Sequence, residues 1–271
     1  MQSYHFLCLF LNLNIRLNYV YFNNLPMPLV KLDAASSTND FLKDLSVYQA
    51  LENYTVVTTE KQTAGKGQMG SVWISEEGKN LIMSILIKEV LTNPGEVYHL
   101  NLVVSMSVHS VLQKYNIPGL SIKWPNDIMS GNKKIAGILI ENTVKSNGTI
   151  VSIAGIGLNV NQKDFINLPH ASSLANIVNH AFDKEKLCDE ITASIIANCK
   201  MLPANLDQLW NGYRKVLFKK GIPMPFEDKA GLRFMGVIRD VRNDGRLEVM
   251  LENNSLRTFE LKEISMLLAN P

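Results

Sequence analysis

Hydrophobic and polar positions divide the chain into a long mixed region and a short terminal one. Over residues 11–21 apolar and polar side chains alternate, as on a half-buried strand. Short apolar, β-rich runs at 29–32, 55–60, 81–87, 122–124, 135–140 and 149–156 read as further strands. Between them the period lengthens to that of a helix. One helix runs from Asn39 to about Leu51, behind Ser36, Ser37 and Thr38, hydroxyl residues that suit a cap. A second spans 96–115, with Val97, Leu100, Val104, Val108, Val111 and Leu112 on one face. His99 and His109 on it read as packing or surface residues rather than ligands. Two more helices are expected at 184–201 and 206–220. Beyond Gly221 the spacing shortens. Strands at 222–226, 232–239, 246–251 and 256–260 are separated by Gly231, Asn243-Asp244-Gly245 and Asn253-Asn254, the pattern of a small β-barrel. The whole predicts an α/β (α+β) domain followed by a small all-β one, with a boundary near residue 220.

Composition sets limits without choosing a function. The 271 residues are 46% hydrophobic and 19% charged, with a net charge of +2, which describes an ordinary globular chain. There is no basic block, so no specific DNA partner is expected. Cys8, Cys188 and Cys199 show neither metal spacing nor a disulfide framework, which suggests a reducing cytoplasm. No pair of histidines or cysteines has the spacing of a zinc site. Residues 1–26 are too broken by Asn and Arg for a membrane span and lack the layout of a signal peptide. The sequence from Met27 onward reads as a complete start, so 1–26 are expected to be an extension upstream of the true initiator.

The candidate chemistry is concentrated in residues 121–141. Two apolar strands are expected there, joined by the turn Ser130-Gly131-Asn132. Pro125 should end the first ladder and turn Asn126-Asp127 away from it. Lys134 opens the second strand, and Gly137 leaves a side-chain-free position, often a mark of close approach. Any one of these residues fits a hairpin with a solvated tip; their order does not. Lys123-Trp124-Pro125-Asn126-Asp127 followed by Lys134-Ile135-Ala136-Gly137-Ile138-Leu139-Ile140-Glu141 resembles the central signature of biotin–protein ligases. A second stretch, Gly65-Lys66-Gly67-Gln68-Met69-Gly70, matches G-x-G-x-x-G by letter. It leads into Val72-Trp73-Ile74 and another strand rather than a helix, so a Rossmann loop is excluded. It resembles the ligase family's Gly-Arg-Gly-x-x-Gly loop. Lys66 replaces the usual Arg and loses its bidentate fork, and Gln68 stands where some members carry a further Arg.

The resemblance implies a class II synthetase-like mixed-sheet catalytic domain over 27–220 and an SH3-like domain over 221–271. It implies biotin, ATP and Mg²⁺ as the small molecules, with the ion held mainly by ATP phosphates and no dedicated protein metal site. Biotin would be activated as biotinyl-5′-adenylate and passed to one lysine of a biotin carboxyl carrier protein, that of acetyl-CoA carboxylase being usual. Ser37, Thr38, Asn39, Gln62, Lys66, Gly67, Gln68, Trp73, Lys134 and Gly137 are the implied biotin residues. Lys66, Gln68, Trp124, Asn126, Asp127, Lys134 and Asn159 are the implied nucleotide residues, with Lys134 and Lys66 catalytic. Gly155-Ile156-Gly157-Leu158-Asn159 is similar to the family's Gly-x-Gly-x-Asn, and Ala171-Ser172-Ser173-Leu174 to its Ala-Thr-Ser-Leu. The loop at 65–70 is expected to be mobile until ligand orders it. A lipoate or octanoyl transferase would carry another glycine-rich signature. A biotin-sensing repressor would need a helix-turn-helix domain, which the period of two in residues 11–21 does not suggest. A non-catalytic biotin binder would have no use for Lys134 or Asn126-Asp127.

Overall fold

The computed structural model describes residues 15–22 and 25–268. The expectations for residues 11–14 and for Cys8 fall outside these. The elements in chain order are β1 (Ile15–Phe22), β2 (Leu25–Ala35), α1 (Thr38–Tyr48), β3 (Val56–Gln62), β4 (Leu81–Lys88), α2 (Val97–Lys114), β5 (Leu120–Lys123), β6 (Asp127–Ser130), β7 (Lys133–Val144) and β8 (Ile150–Leu158). They continue with α3 (Leu174–Val178), α4 (Lys184–Lys200), α5 (Leu206–Lys215), β9 (Pro223–Asp228), β10 (Arg233–Val241), β11 (Leu247–Leu251), β12 (Leu256–Phe259) and β13 (Ile264–Met266). Met27 lies inside β2, opposite Val20 of β1.

The first eight strands form one mixed sheet in the order β1-β2-β3-β4-β8-β7-β6-β5. The β2–β3 pair is parallel, with α1 as its crossover. Strand alternation gives the sheet two unequal faces. On one face Met83, Ile85, Ile138 and Ile156 meet Leu100, Val104 and Val108 of α2 and Ile191 and Ile195 of α4, all buried. On the other, Val30, Leu32, Val57, Leu86 and Ile153 are covered by Leu42 and Leu45 of α1. A helix of 11 residues is about 16 Å long. It covers one corner of the sheet and leaves the rest of that face for a pocket.

The central segment departs from expectation. It contains two hairpins, not one: β5 pairs with β6, and β6 with β7. Pro125 does not turn Asp127 away from the first strand, because Asp127 pairs directly with Lys123. A bulge between Ile128 and Met129 puts an extra residue into β7. Bulges re-aim side chains, and here Lys134 reaches the face occupied by Gly137. Its backbone is fixed from the far side by Lys134 N–H to His170 O at 2.7 Å and Ser172 N–H to Lys134 O at 3.0 Å.

The last helix also differs from the sequence reading. It stops at Lys215, not near 220, because Val216 and Phe218 exchange backbone hydrogen bonds of 2.8 Å with Ile122 and cover the outer edge of β5. The C-terminal strands form an antiparallel sheet ordered β12-β11-β10-β9-β13. Among the described residues no ladder joins β12 to β13, so the sheet is open rather than a closed barrel. Phe226, Phe234 and Phe259 stack within it. It docks through the turn before β11: Trp124 Nε1–H donates to Gly245 O at 2.8 Å. Gly245 has φ +88° and lies against the Tyr98 ring, where a Cβ would clash. Among the described residues no helix is long and apolar enough to cross a membrane.

One buried group gives a pH test. His109 is 4% exposed, and its Nε2 has no partner. Burial pushes its pKa below the usual value, against a smaller opposing effect of the Leu120 carbonyl. The unfolded chain takes up this proton near pH 6.5 and the folded chain resists it, so stability should fall as pH drops below about 6.5. In urea unfolding between about pH 8 and pH 5.5, His109→Gln should lose less stability than the wild type. Equal losses would show that His109 is not the source.

Candidate active site

The site is built on three glycines of two paired strands. Gly137 of β7 faces Gly157 of β8, and Leu139 faces Gly155. A Cβ at Gly157 would run into the Trp73 indole, and one at Gly155 into the Asn39 amide. At Gly137 it would lie 3.1 Å from Trp73 Cζ3 and 3.2 Å from Lys134 Nζ. The indole and the amide therefore rest directly on the sheet. Trp73 is brought there by the glycine loop, which folds back on itself. Trp73 N–H bonds Gly65 O at 2.9 Å, Gly67 N–H bonds Ser71 O at 2.7 Å, and Lys66 bridges Val72. A pocket lies between floor, loop and α1. Ser37, Thr38, Asn39 and Gln62 line one side, Lys66, Gly67 and Gln68 the loop side, and Trp73, Asn126, Lys134 and Gly137 the remainder.

Local hydrogen bonds fix most of these groups. Ser37 caps α1 through its Oγ, which accepts from Asp40 N–H at 3.4 Å. Thr38 N–H donates to Gln62 Oε1 at 3.1 Å. Asn126 is tied to β7 twice, Nδ2–H to Ile138 O at 2.5 Å and Ile138 N–H to its own carbonyl at 3.0 Å. The cations are paired with carboxylates. Lys134 Nζ lies 2.6 Å from Asp127 Oδ1 and 5.6 Å from the centre of the Trp73 ring. Lys66 Nζ lies 2.7 Å from Asp40, and that hydrogen bond is the main cause of its raised pKa. Lys123 has its pKa lowered, chiefly by burial; Asp127 opposes the shift and Lys134 adds to it.

A second cleft adjoins the first. It shares Gln68, Asn126 and Lys134 with the pocket, adds Lys123, Trp124 and Asp127, and is closed by Phe226, Lys262 and Ile264 of the small sheet. The structure thus brings the sequence-nominated residues into two adjoining cavities, with one exception. Asn159 lines neither: it is buried, its Nδ2 donates to Ser172 O at 3.0 Å, and its Oδ1 has no partner. Gly155 and Gly157 in the pocket, and Ser84 and Glu141 behind it, were not nominated. Gly155 and Gly157 stand in a glycine motif whose reason is the contact geometry. Ser84 is the polar break in the apolar run of β4. Glu141 closes the signature itself.

Residues 32–161 match the biotin/lipoate A/B protein ligase family. Over this stretch the chain is similar to biotin–protein ligases. The bifunctional ligase/repressor BirA of Bacillus subtilis is 36% identical over 135 residues, which are 50% of this chain and 41% of that protein. The chain therefore spans about two fifths of the length of this curated relative. The biotin–[acetyl-CoA-carboxylase] ligase of Mycobacterium tuberculosis is 29% identical over 196 residues, 71% of each chain. The biotin protein ligase of Aquifex aeolicus, solved in complex with biotin and ATP, shares the fold. Its TM-score is 0.72 at 24% identity, covering 88% of this chain and 97% of that one.

The glycine floor makes a test that needs no ligand. A methyl group at 157 must displace the Trp73 indole, so Gly157→Ala should change Trp73 emission while far-ultraviolet circular dichroism stays unchanged. The same substitution in a Trp73→Phe background should leave emission unaltered. An unchanged spectrum in the first variant would show that Trp73 does not rest on this strand.

Proposed function

We propose that this protein is an ATP-dependent biotin–protein ligase, which activates biotin as biotinyl-5′-adenylate and transfers it to a lysine of a biotin carboxyl carrier protein. The observation that carries this reading is the junction of the two cavities at Lys134 and Asn126. One cavity is lined by small hydrogen-bonding groups and an indole, as a fused bicyclic urea requires. The other is lined by lysines, as a triphosphate requires. The acid group of the first ligand and the α-phosphate of the second would meet where the cavities join.

The chemistry brings two anions together, and a preorganised cation between them lowers the barrier. Lys134 is the cation placed there, held by Asp127 and fixed in its backbone on both sides. A carboxylate oxygen of biotin attacks the α-phosphorus, pyrophosphate departs, and the mixed anhydride remains. The carrier lysine, as free amine, then attacks the acyl carbon and AMP leaves. No side chain of the enzyme need act as a covalent nucleophile. A magnesium ion carried by ATP would need few protein ligands and would offset charge on the leaving pyrophosphate. Asp127 is the carboxylate in the nucleotide cleft that could touch it.

The remaining roles follow from which groups are free. Ser37 Oγ accepts from Asp40 N–H, so its own proton is available to the ureido oxygen. Gln62 spends Oε1 on Thr38 N–H and keeps its NH₂. Lys66, Gly67 and Gln68 form the lid. Trp124 serves the seam with the small sheet, whose Lys262 faces the nucleotide cleft; that sheet we read as the family's SH3-like domain, 221–271, beside a catalytic domain over 27–220. Asn159 acts through the segment at 171–174. We place the protein in the cytoplasm, where Cys188 and Cys199, both buried free thiols, would stay reduced. Lipoate has no ureido group to engage Ser37 or Gln62, which favours biotin over it.

Purified protein should release pyrophosphate from Mg-ATP only when biotin is present. Lys134→Ala should slow that release on the order of 10²–10³-fold with the fold intact. Release within about threefold of wild type would remove Lys134 from the mechanism, since one preorganised donor is worth far more than that.

A further inference from the structure

Behind the pocket, four side chains form one hydrogen-bonded chain. Asn39 Nδ2 donates to Glu141 Oε2 at 2.7 Å, and its second proton points to Leu139 O at 3.4 Å. Ser84 Oγ lies 2.6 Å from Asn39 Oδ1 and 2.7 Å from Thr38 Oγ1. Thr38, Asn39 and Ser84 are all buried.

The direction of every bond follows from the first. A carboxylate only accepts, so Asn39 must turn its NH₂ toward Glu141 and its oxygen toward Ser84. An amide oxygen also only accepts, so the single proton of Ser84 goes to it. Ser84 Oγ is then the acceptor for the Thr38 hydroxyl. The protons of Thr38 and Asn39 are thereby committed to the protein. Thr38 Oγ1 and Asn39 Oδ1, both on the pocket wall, keep only lone pairs. This wall accepts and cannot donate. Beside it, the Ser37 hydroxyl and the Gln62 NH₂ supply donors.

We propose that Glu141 is a positioning residue that sets the polarity of this wall, and so makes the pocket select a ligand presenting N–H donors on the edge that meets Thr38 and Asn39. The inference rests on biotin being the ligand and names what reads its ureido N–H groups. Glu141 does not line the pocket; it acts through Asn39. Without its charge, only the long 3.4 Å contact to Leu139 O favours one orientation of the Asn39 amide, and a flipped amide would present donors to donors.

The test is calorimetric binding of biotin and of an N-methylated biotin, in which a ureido N–H is replaced. Wild type should bind biotin and discriminate strongly against the methylated form. Glu141→Gln should bind biotin about tenfold or more weakly, the loss of a charge-assisted bond, with its KM for ATP unchanged. It should also discriminate less between the two ligands, because the wall it presents is no longer fixed. In the double variant Asn39→Asp with Glu141→Gln the donor and acceptor are exchanged, and the oxygen facing Ser84 and the pocket is restored. That variant should recover most of the discrimination. Undiminished discrimination in Glu141→Gln, or no recovery in the double variant, would overturn the proposal. Wild type failing to bind biotin at all would instead overturn the assignment of biotin to the pocket.

Discussion

The site depends on a steric constraint: three positions on two adjacent strands carry no side chain. Gly137, Gly155 and Gly157 leave the sheet bare beside the corner that aliphatic groups and α1 cover. Trp73 and Asn39 occupy the space that Cβ atoms would take. Glycine within a strand costs conformational entropy and packing. Here the loss is offset by contacts that no larger residue permits, an indole lying on the backbone and an amide seated beside it. The indole in turn is the terminus of the glycine loop, and the amide is in the first turn of α1. One bare patch therefore sets the positions of both movable walls.

Electrostatics follow from this geometry. The two lysines of the pocket are each neutralised by a carboxylate on a different element, Lys134 by Asp127 and Lys66 by Asp40. Both pairs are partly exposed, so neither adds much to stability. Their effect is to hold long side chains in place while leaving their charge available to an incoming anion. The second cleft gets its third wall from the C-terminal segment. The C-terminal sheet is fastened to the signature by Trp124 and the turn at Gly245 and to α5 by the Arg214–Asp240 pair at 3.1 Å. Trp124 lines the second cleft and also carries the seam.

Much of this was legible in the sequence, and the exceptions share a cause. Strand and helix periods located the long elements, and the order of residues in the signature and the glycine loop located the pocket. β6 was missed because Asp127 to Ser130 looked like the charged tip of a single hairpin; only the ladder with β5 and β7 gives it strand character. β13 is three residues long, too short for any period to show. The end of α5 was misplaced because Val216 and Phe218 pair with β5, a contact remote in sequence. The same holds for Ser84 and Glu141. Each looked like an ordinary strand residue, and each matters through Asn39, which lies far from both in the chain. The partner of Lys66 was not legible either: Asp40 lies 2.7 Å from it but 26 residues away in the chain.

The central claim is that the two adjoining cavities carry out one acyl activation and transfer. The direct measurement is the intact mass of a biotin carboxyl carrier domain after incubation with the protein, biotin and Mg-ATP, followed by peptide mapping. The account predicts one added biotinyl group on one lysine, dependent on ATP, and none when lipoate replaces biotin. An unmodified carrier, or one modified by lipoate, would contradict it.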